Sequence, residues 1–551
     1  MVDAAARDRA LREGLALLDG RDAAQALFRF RRAHAFDPAS ADAAAAMGYS
    51  LGLMARHREA AICYREALRL DPDHPAALTN LGDLLRSEGR LAEAGQLLER
   101  ALAAGPALLP QAASNLALVR QAEGREADAE LLLQQAVSVA PGFAAAWSNL
   151  ASVRAGRGDA DGAAEAARRA IGEAPAGASG HWNLGLAERM AGRLPSSVAS
   201  FRRALAISPL DPVLHWNFAL SLLAAGQWRE GWREWEWRFD AGMARPLPPW
   251  PPRWDGKPPL GRTIAVRAEQ GLGDTIQFLR YVPLLAAAGA SVALEVQRPL
   301  EPLLEVNGWL GASARPGEAA LQVPLMSLPG LFGTRQGSVP SPRRYLRAGP
   351  AGTRWAEWLE RLPRPRVGIC WRGNPANPAD RFRSMPDRIA ARIASYAGAS
   401  FVCLQAGSDP PPGAVRPPER SIADAAAIVA NLDLIVAADT MIAHLAGALG
   451  RPVWIALSGY ADWRWMTRRE DSPWYASARL FRQPRLGDWD AVAGAILSAL
   501  EVHFHGKGRL GEGERTNHLH RAMPLGEPGA EFGGAGGQRP GDGLALRQNG
   551  P

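Results

Sequence analysis

Small and apolar positions recur at a fixed interval through the first 243 residues. Pro38, Pro72, Pro106, Pro141, Pro175 and Pro209 stand 34, 34, 35, 34 and 34 residues apart. A comb of Gly14, Gly48, Gly82, Ala117, Ala151, Gly185 and Ala219 keeps the same spacing, and so does Ala33, Ala67, Ala101, Ala136, Ala170 and Ala204. Small residues at two fixed positions let paired helices approach closely, and proline ends the second helix of each pair. Six full repeats and a partial seventh near 212–243 are readable. Beyond residue 260 the pattern changes to short continuous apolar runs between amphipathic stretches. It predicts strands at 262–267, 291–296, 366–371, 401–405, 432–438, 452–457 and 479–482. Helices are predicted at 274–288, 299–306, 386–396, 421–431, 440–449 and 488–503, with weaker elements over 321–332. Continuous apolar strands alternating with helices imply parallel sheets covered on both faces.

The chain therefore divides into a helical array (1–243), a connector (244–260), two α/β halves (261–360 and 361–502) and a tail (503–551). Seven of the 17 connector residues are proline, which predicts a stiff, extended joint pinned by Trp250 and Trp254. The tail holds 13 glycines among 49 residues without periodicity and is expected to be disordered, its His503, His505, His518 and His520 being incidental. Trp228, Trp232, Trp235 and Trp237, in the last repeat, are expected to seal the array against the next domain.

Composition narrows the function classes. The net charge of +7 points toward nucleic acid, but 61 of the 63 cationic residues are arginine and no basic block occurs. That bias reads as GC-rich coding, and nucleic-acid binding is not expected. Cys63, Cys370 and Cys403 are scattered, which argues against a disulfide framework or a zinc site. The first residues lack an apolar signal core and the apolar stretches are interrupted by Asp433, Asp439 and Gly450, so the expected location is the cytoplasm, without a membrane span.

Two motifs carry chemistry. Residues 269–277, Glu-Gln-Gly-Leu-Gly-Asp-Thr-Ile-Gln, join a strand to a helix. Gly271 and Gly273 allow close backbone approach, Asp274 aims a carboxylate into the bordering crevice, and Gln270 stands beside them to orient a ligand. The second motif is Asp439-Thr440-Met441-Ile442-Ala443-His444, after a late strand, where free N–H groups at a helix start can hold a diphosphate. Its bland alternative is a capping aspartate with a core histidine. The aromatic run 460–465 and residues 471–475 serve equally as a cover for a base or sugar or as packing.

The 34-residue unit is similar to the tetratricopeptide repeat, whose arrays form superhelices with a concave binding face. Asn80, Asn115, Asn149, Asn183 and Asn217 recur at one position of successive first helices. They resemble the asparagine ladder with which the array of protein O-linked sugar transferases grips an extended peptide; the alternative is bonding between neighbouring helices. The Gly-Leu-Gly-Asp274 and Asp-Thr-x-x-x-His444 motifs, over about 262–502, resemble the heptosyltransferase-like family 9 glycosyltransferases. That resemblance implies a GT-B fold of two Rossmann-like halves and metal-independent, inverting transfer from a nucleotide-diphosphate sugar, with no other cofactor. It makes Asp274 the general base and puts Asp439, Thr440 and His444 on the donor side. Arg372, Asn374, Arg381, Arg383 and Ser384 are further candidates for the leaving diphosphate, which needs guanidinium groups or dipoles. Two departures stand out: Met441 replaces the family's glycine, and no lysine lies between Lys257 and Lys507, so Arg372 takes its place. The expected function is sugar transfer to a hydroxyl of a protein or glycan recruited by the array. The competing readings are a scaffold with an inactive sugar-nucleotide-binding domain, and a nucleotide-dependent hydrolase or epimerase.

Overall fold

The comb of small residues folds as helical hairpins because its glycine positions receive a large side chain from the partner helix. A Cβ on Gly14 would lie 2.4 Å from the Phe30 ring, on Gly48 2.6 Å from Tyr64, on Gly82 2.7 Å from Leu98 and on Gly185 2.8 Å from Phe201. The computed structural model describes residues 3–105, 109–310, 317, 319–349, 352–377, 379–418 and 421–505. Pro106 and most of the predicted tail, with His518 and His520, lie outside them. Among the described residues, 3–499 form one compact unit.

The array comprises seven hairpins: α1 (Ala4–Asp19) with α2 (Ala23–Phe36), α3 (Ala41–Leu53) with α4 (His57–Leu70), α5 (Pro75–Ser87) with α6 (Leu91–Ala104), and α7 (Leu109–Ala122) with α8 (Glu126–Val139). Then come α9 (Ala144–Gly156) with α10 (Ala160–Glu173), α11 (Ala178–Met190) with α12 (Leu194–Ile207), and α13 (Pro212–Ala224) with the short α14 (Trp228–Trp235). Trp228, Trp232 and Trp235 are buried, and they meet Trp463 and Trp474 of the second α/β half edge-on or stacked at 5.3–6.3 Å. Trp237 instead stacks on His215 at 4.1 Å, within the last hairpin.

The connector docks beside the first sheet. Trp254 is buried and donates its backbone N–H to Gln322 O at 2.8 Å, but Trp250 is 73% exposed, so one tryptophan pins the joint and not two. The first half holds β1 (Thr263–Arg267), α15 (Leu272–Phe278), α16 (Val282–Ala287), β2 (Ser291–Glu295), α17 (Glu301–Glu305), β3 (Leu321–Pro324) and α18 (Leu328–Leu331). Its parallel sheet has the order β2-β1-β3. The single helix expected over 274–288 is broken by a 3-10 turn at Leu279–Tyr281, after which Pro283 opens α16, where its missing N–H is harmless. The second half holds α19 (Gly352–Glu360), β4 (Arg366–Cys370), α20 (Asp380–Arg383), α21 (Asp387–Ala394), β5 (Ser400–Cys403), β6 (Ala414–Val415) and α22 (Ile422–Ala430); α19 precedes the expected boundary at 360 but packs here, Trp355 donating to Asp424 of α22 at 2.9 Å. It continues through β7 (Leu434–Ala438), α23 (Met441–Ala448), β8 (Val453–Leu457), β9 (Ala478–Arg482) and α24 (Trp489–His505). All pairings in its β6-β5-β4-β7-β8-β9 sheet are parallel, and β4, β7 and β8 are wholly buried. The architecture is an α-helical tetratricopeptide array followed by an α/β part with two parallel sheets. Among the described residues no helix is long and apolar enough to cross a membrane.

Candidate functional site

The order of the second sheet locates a crevice. The chain builds outward from β4 to β5 and β6, then returns to the other side of β4 with β7. In open parallel sheets, ligands bind beyond the carboxyl ends of the strands at such a reversal. Asp439 and Thr440 leave β7 at this point, and Trp371 and Arg372 leave β4. Thr440 is the extended N-cap residue of α23 (φ −137°). Gln405 Oε1, beyond β5, accepts the backbone N–H groups of Trp371 (3.2 Å) and Arg372 (2.8 Å) and so fixes the exit from β4.

The first half presents the start of α15 to the start of α23. Asp274 folds back so that its Oδ2 accepts the N–H of the N-cap Gly271 at 3.0 Å. Gly273 is the point of closest approach: a Cβ there would lie 2.9 Å from His444 Cδ2 and 3.4 Å from Met441 Cα. The expected role of Gly273, leaving room for a ligand, is therefore corrected, since α23 fills that space. Gly271 and Gly273 are not among the glycines of positive φ, so close approach rather than a left-handed backbone is what Gly273 provides.

A guanidinium joins the two halves. Arg464, buried between them, donates to Asp274 Oδ1 (2.5 Å), Asp462 Oδ1 (2.8 Å) and Gln277 Oε1 (2.7 Å). Burial works against its charge, but Asp462 and Asp274 outweigh that and raise its pKa. Asp439 lies in the same cluster. Burial first, and Asp462 second, push its carboxyl up to about 6, against the opposing pull of Arg383 and Arg464. Burial and the nearby Arg464, Arg280 and Arg383 hold the His444 imidazole well below its ordinary range, so it is neutral near pH 7. His444 Nδ1 shares a 3.0 Å hydrogen bond with the Tyr475 hydroxyl, and its ring stacks on Trp465 at 5.4 Å. At 3.7 Å, Asp439 is too far from His444 Nε2 for a hydrogen bond. Among the described residues no group of histidine, cysteine and carboxylate side chains has the arrangement of a metal site.

The predicted residues thus separate. Gly273, Asp274, Asp439, Thr440, His444 and Arg383 converge on the seam between the halves. Arg381 does not: it pairs with Glu126 of the array at 3.2 Å. Arg372 pairs with Asp387 at 2.5 Å and lines a separate cavity of about 730 Å³ beyond β4 and β5. Asn374 caps a local turn through Ala376 N–H, and Ser384 donates to Asp380 and accepts from Gly373 N–H. Gln270 turns away from the seam, its amide donating to Met243 O at 3.3 Å. In the array, Asn149 donates to Ser114 Oγ, Asn183 to Ser148, and Asn217 to Val213 O while accepting from Arg189. These three asparagines bond within the array, whereas the other two, Asn80 and Asn115, make no side-chain hydrogen bond among the described residues. Trp463, Trp465, Trp474 and Tyr475 are buried, which decides the aromatic run in favour of packing.

Sequence reasoning gave no role to Arg464, Asp462 or Gln277, although the stretches 269–277 and 460–465 contain them. One signal was available for Gln277, a polar residue three positions after Asp274 and hence on the same face of a helix.

Comparison with known proteins agrees with this architecture. Family models match a tetratricopeptide repeat at residues 45–108, 114–178 and 153–212, and glycosyltransferase family 9 (heptosyltransferase) at residues 417–486. The chain thus carries tetratricopeptide repeats followed by a heptosyltransferase-like segment of family 9 type. The family 9 match contains β7, Asp439, Thr440, His444 and Arg464. Protein FlbA of Caulobacter vibrioides is 29% identical over 321 residues, 51% of this chain and 53% of FlbA. The probable UDP-N-acetylglucosamine–peptide N-acetylglucosaminyltransferase SPINDLY of Solanum lycopersicum is 37% identical over 76 residues, 14% of this chain and 8% of that protein. The chain thus spans about half the length of the first relative and a small part of the second. Among solved structures, the APC/C hetero-tetramer Cut9–Hcn1 overlaps 39% of this chain and 43% of its own at 20% identity, with a TM-score of 0.37.

Proposed function

We propose that the family 9 domain transfers a sugar, with inversion and without a metal, from a nucleotide-diphosphate sugar to a hydroxyl of a protein or glycan recruited by the repeat array. The observation that carries this reading is the meeting of the α15 and α23 starts, with Asp274 and Asp439, at the reversal point of the second sheet. Free N–H groups at the start of α23, with Arg383 nearby, suit a diphosphate. A carboxyl pushed up to about 6, as in Asp439, takes up a proton beside a phosphate anion and can then donate a hydrogen bond to it. Asp274, kept in one orientation by Gly271 N–H and Arg464, retains free lone pairs for the acceptor proton. In the transfer, the acceptor oxygen bonds to the anomeric carbon while the bond to the diphosphate oxygen breaks. The hydroxyl proton passes to Asp274 and the nucleoside diphosphate departs on the α23 side. The name of the SPINDLY relatives supports a peptide acceptor. In the array, the peptide-gripping role falls to Asn80 and Asn115.

A second reading, a scaffold that binds a sugar nucleotide without turnover, is favoured by one observation: both oxygens of Asp274 are already engaged. Incubation with a panel of nucleotide sugars, following nucleotide release and binding together, separates the two. Release marks a transferase and binding alone marks the scaffold. Neither release nor binding overturns both. The chain is expected to act in the cytoplasm, where nucleotide sugars are made.

A further inference from the structure

The last hairpin of the array and the first α/β half enclose a groove that the transfer chemistry does not use. Three cavities of about 440, 510 and 370 Å³ adjoin one another. The first two share Arg229, Arg233 and Arg335, and the second and third share Arg233, Glu236 and Arg253. Arg229 and Arg233 are four residues apart on α14 and so project from one face. Arg335 approaches from the loop after α18.

The charges in the central cavity do not cancel. Glu236 is held by Arg238 (3.0 Å) and by Arg253, and Asp255 by Lys257 at 2.7 Å. Arg229, Arg233 and Arg335 are exposed and make no side-chain hydrogen bond or ion pair among the described residues. Three uncompensated guanidinium groups therefore rim the cavity, while Trp232, Trp254 and Leu331 supply apolar lining. Trp232 and Trp254 are 4% and 3% exposed, too little open ring for a nucleobase to stack on. An elongated groove with an apolar floor and an arginine rim suits a chain that alternates apolar and acidic side chains.

We propose that this groove is a docking site for an acidic peptide segment of a partner protein, its carboxylates on Arg229, Arg233 and Arg335 and an apolar side chain against Trp232 and Leu331. The site is separate from the nucleotide-sugar seam, but a bonded path leads toward it. Arg253 and Glu236, in the wall, bond Ser327, and Arg238 joins Ser327 (2.7 Å) to Glu269 (2.8 Å), two residues before Gly271.

The test is fluorescence-anisotropy titration of the full chain with a short fluorescein-labelled peptide of alternating aspartate and leucine. Lysine–leucine and aspartate–serine peptides and a single-stranded oligonucleotide serve as controls. The aspartate–leucine peptide is expected to bind with an affinity that falls as salt rises. Arg229→Glu with Arg233→Glu, and separately Arg335→Glu, should each weaken it tenfold or more. These side chains lie on the surface, so melting temperatures should stay at the wild-type value. Equal binding by the charge-reversed variants, equal binding of the aspartate–serine peptide, or tighter binding of the oligonucleotide overturns the proposal.

Discussion

Replacing Arg464 tests the seam between the two halves. Its guanidinium is buried and serves three acceptors, so Arg464→Met removes the guanidinium from Asp274, Asp462 and Gln277 Oε1 and leaves the two carboxylates only backbone donors, Gly271 N–H and the N–H of residue 464. Removing one partner of a buried ion pair typically costs about 3–5 kcal/mol, because the other charge stays desolvated. Here the carboxylate side chains are 25% and 33% exposed, so water can partly rehydrate them, and the lower end, about 3 kcal/mol, applies. Arg464→Lys keeps the charge but, lacking the planar fork, can serve fewer of the three acceptors; about half the loss is expected. Urea unfolding followed by tryptophan fluorescence reads the difference, with Trp463 and Trp465 flanking the site. A loss below about 1 kcal/mol in Arg464→Met, the range of exposed ion pairs, would refute the reasoning that Arg464 fastens the halves.

The same contacts lead to three further outcomes. Asp439 has a folded-state pKa of about 6, above the unfolded value, so ionising it opposes folding: stability falls as pH rises from about 4 to about 6 and stays lower above that. Asp439→Asn should therefore stabilise the protein by up to about 3 kcal/mol near pH 8 and by nothing below about pH 4, read from thermal melts across that range. Gly273→Ala places a methyl against His444 and the Met441 backbone and should cost about 1–3 kcal/mol, together with weaker donor binding by calorimetry; an unchanged melt would mean that α15 and α23 do not pack as described. Trp228→Ala removes a buried ring shared between the array and the second half and should cost about 3–5 kcal/mol, with faster proteolysis at the connector; unaltered proteolysis would contradict the seal.

The array was legible because a fixed period of small residues has one physical reading, and the Gly–Phe and Gly–Tyr contacts bear it out. The strands of the second half were legible as continuous apolar runs. Pro283 marked the break in the predicted helix at 274–288 and is a signal the periodicity alone hides. The site was legible only as two motifs. Their meeting depends on the α15–α23 contact and on Arg464, whose partner Asp274 lies 190 residues earlier, a pairing that only the assembled fold creates. Arg372 and Arg381, on the stretch after β4, were drawn instead to acids elsewhere, Asp387 and Glu126. The asparagine ladder divided for a local reason: where Ser114 and Ser148 stand one repeat earlier, the amide bonds to them.

The most direct measurement of the central claim compares wild type with Asp274→Asn, following nucleotide release from the donor that the panel identifies and donor Kd by calorimetry. The expected result is a loss in release of about 10²–10⁴-fold with Kd unchanged, since the amide keeps the shape of the site but cannot take the acceptor proton. Full release by Asp274→Asn, or a parallel loss of donor binding, would contradict Asp274 as the base and with it the proposed two-sided site.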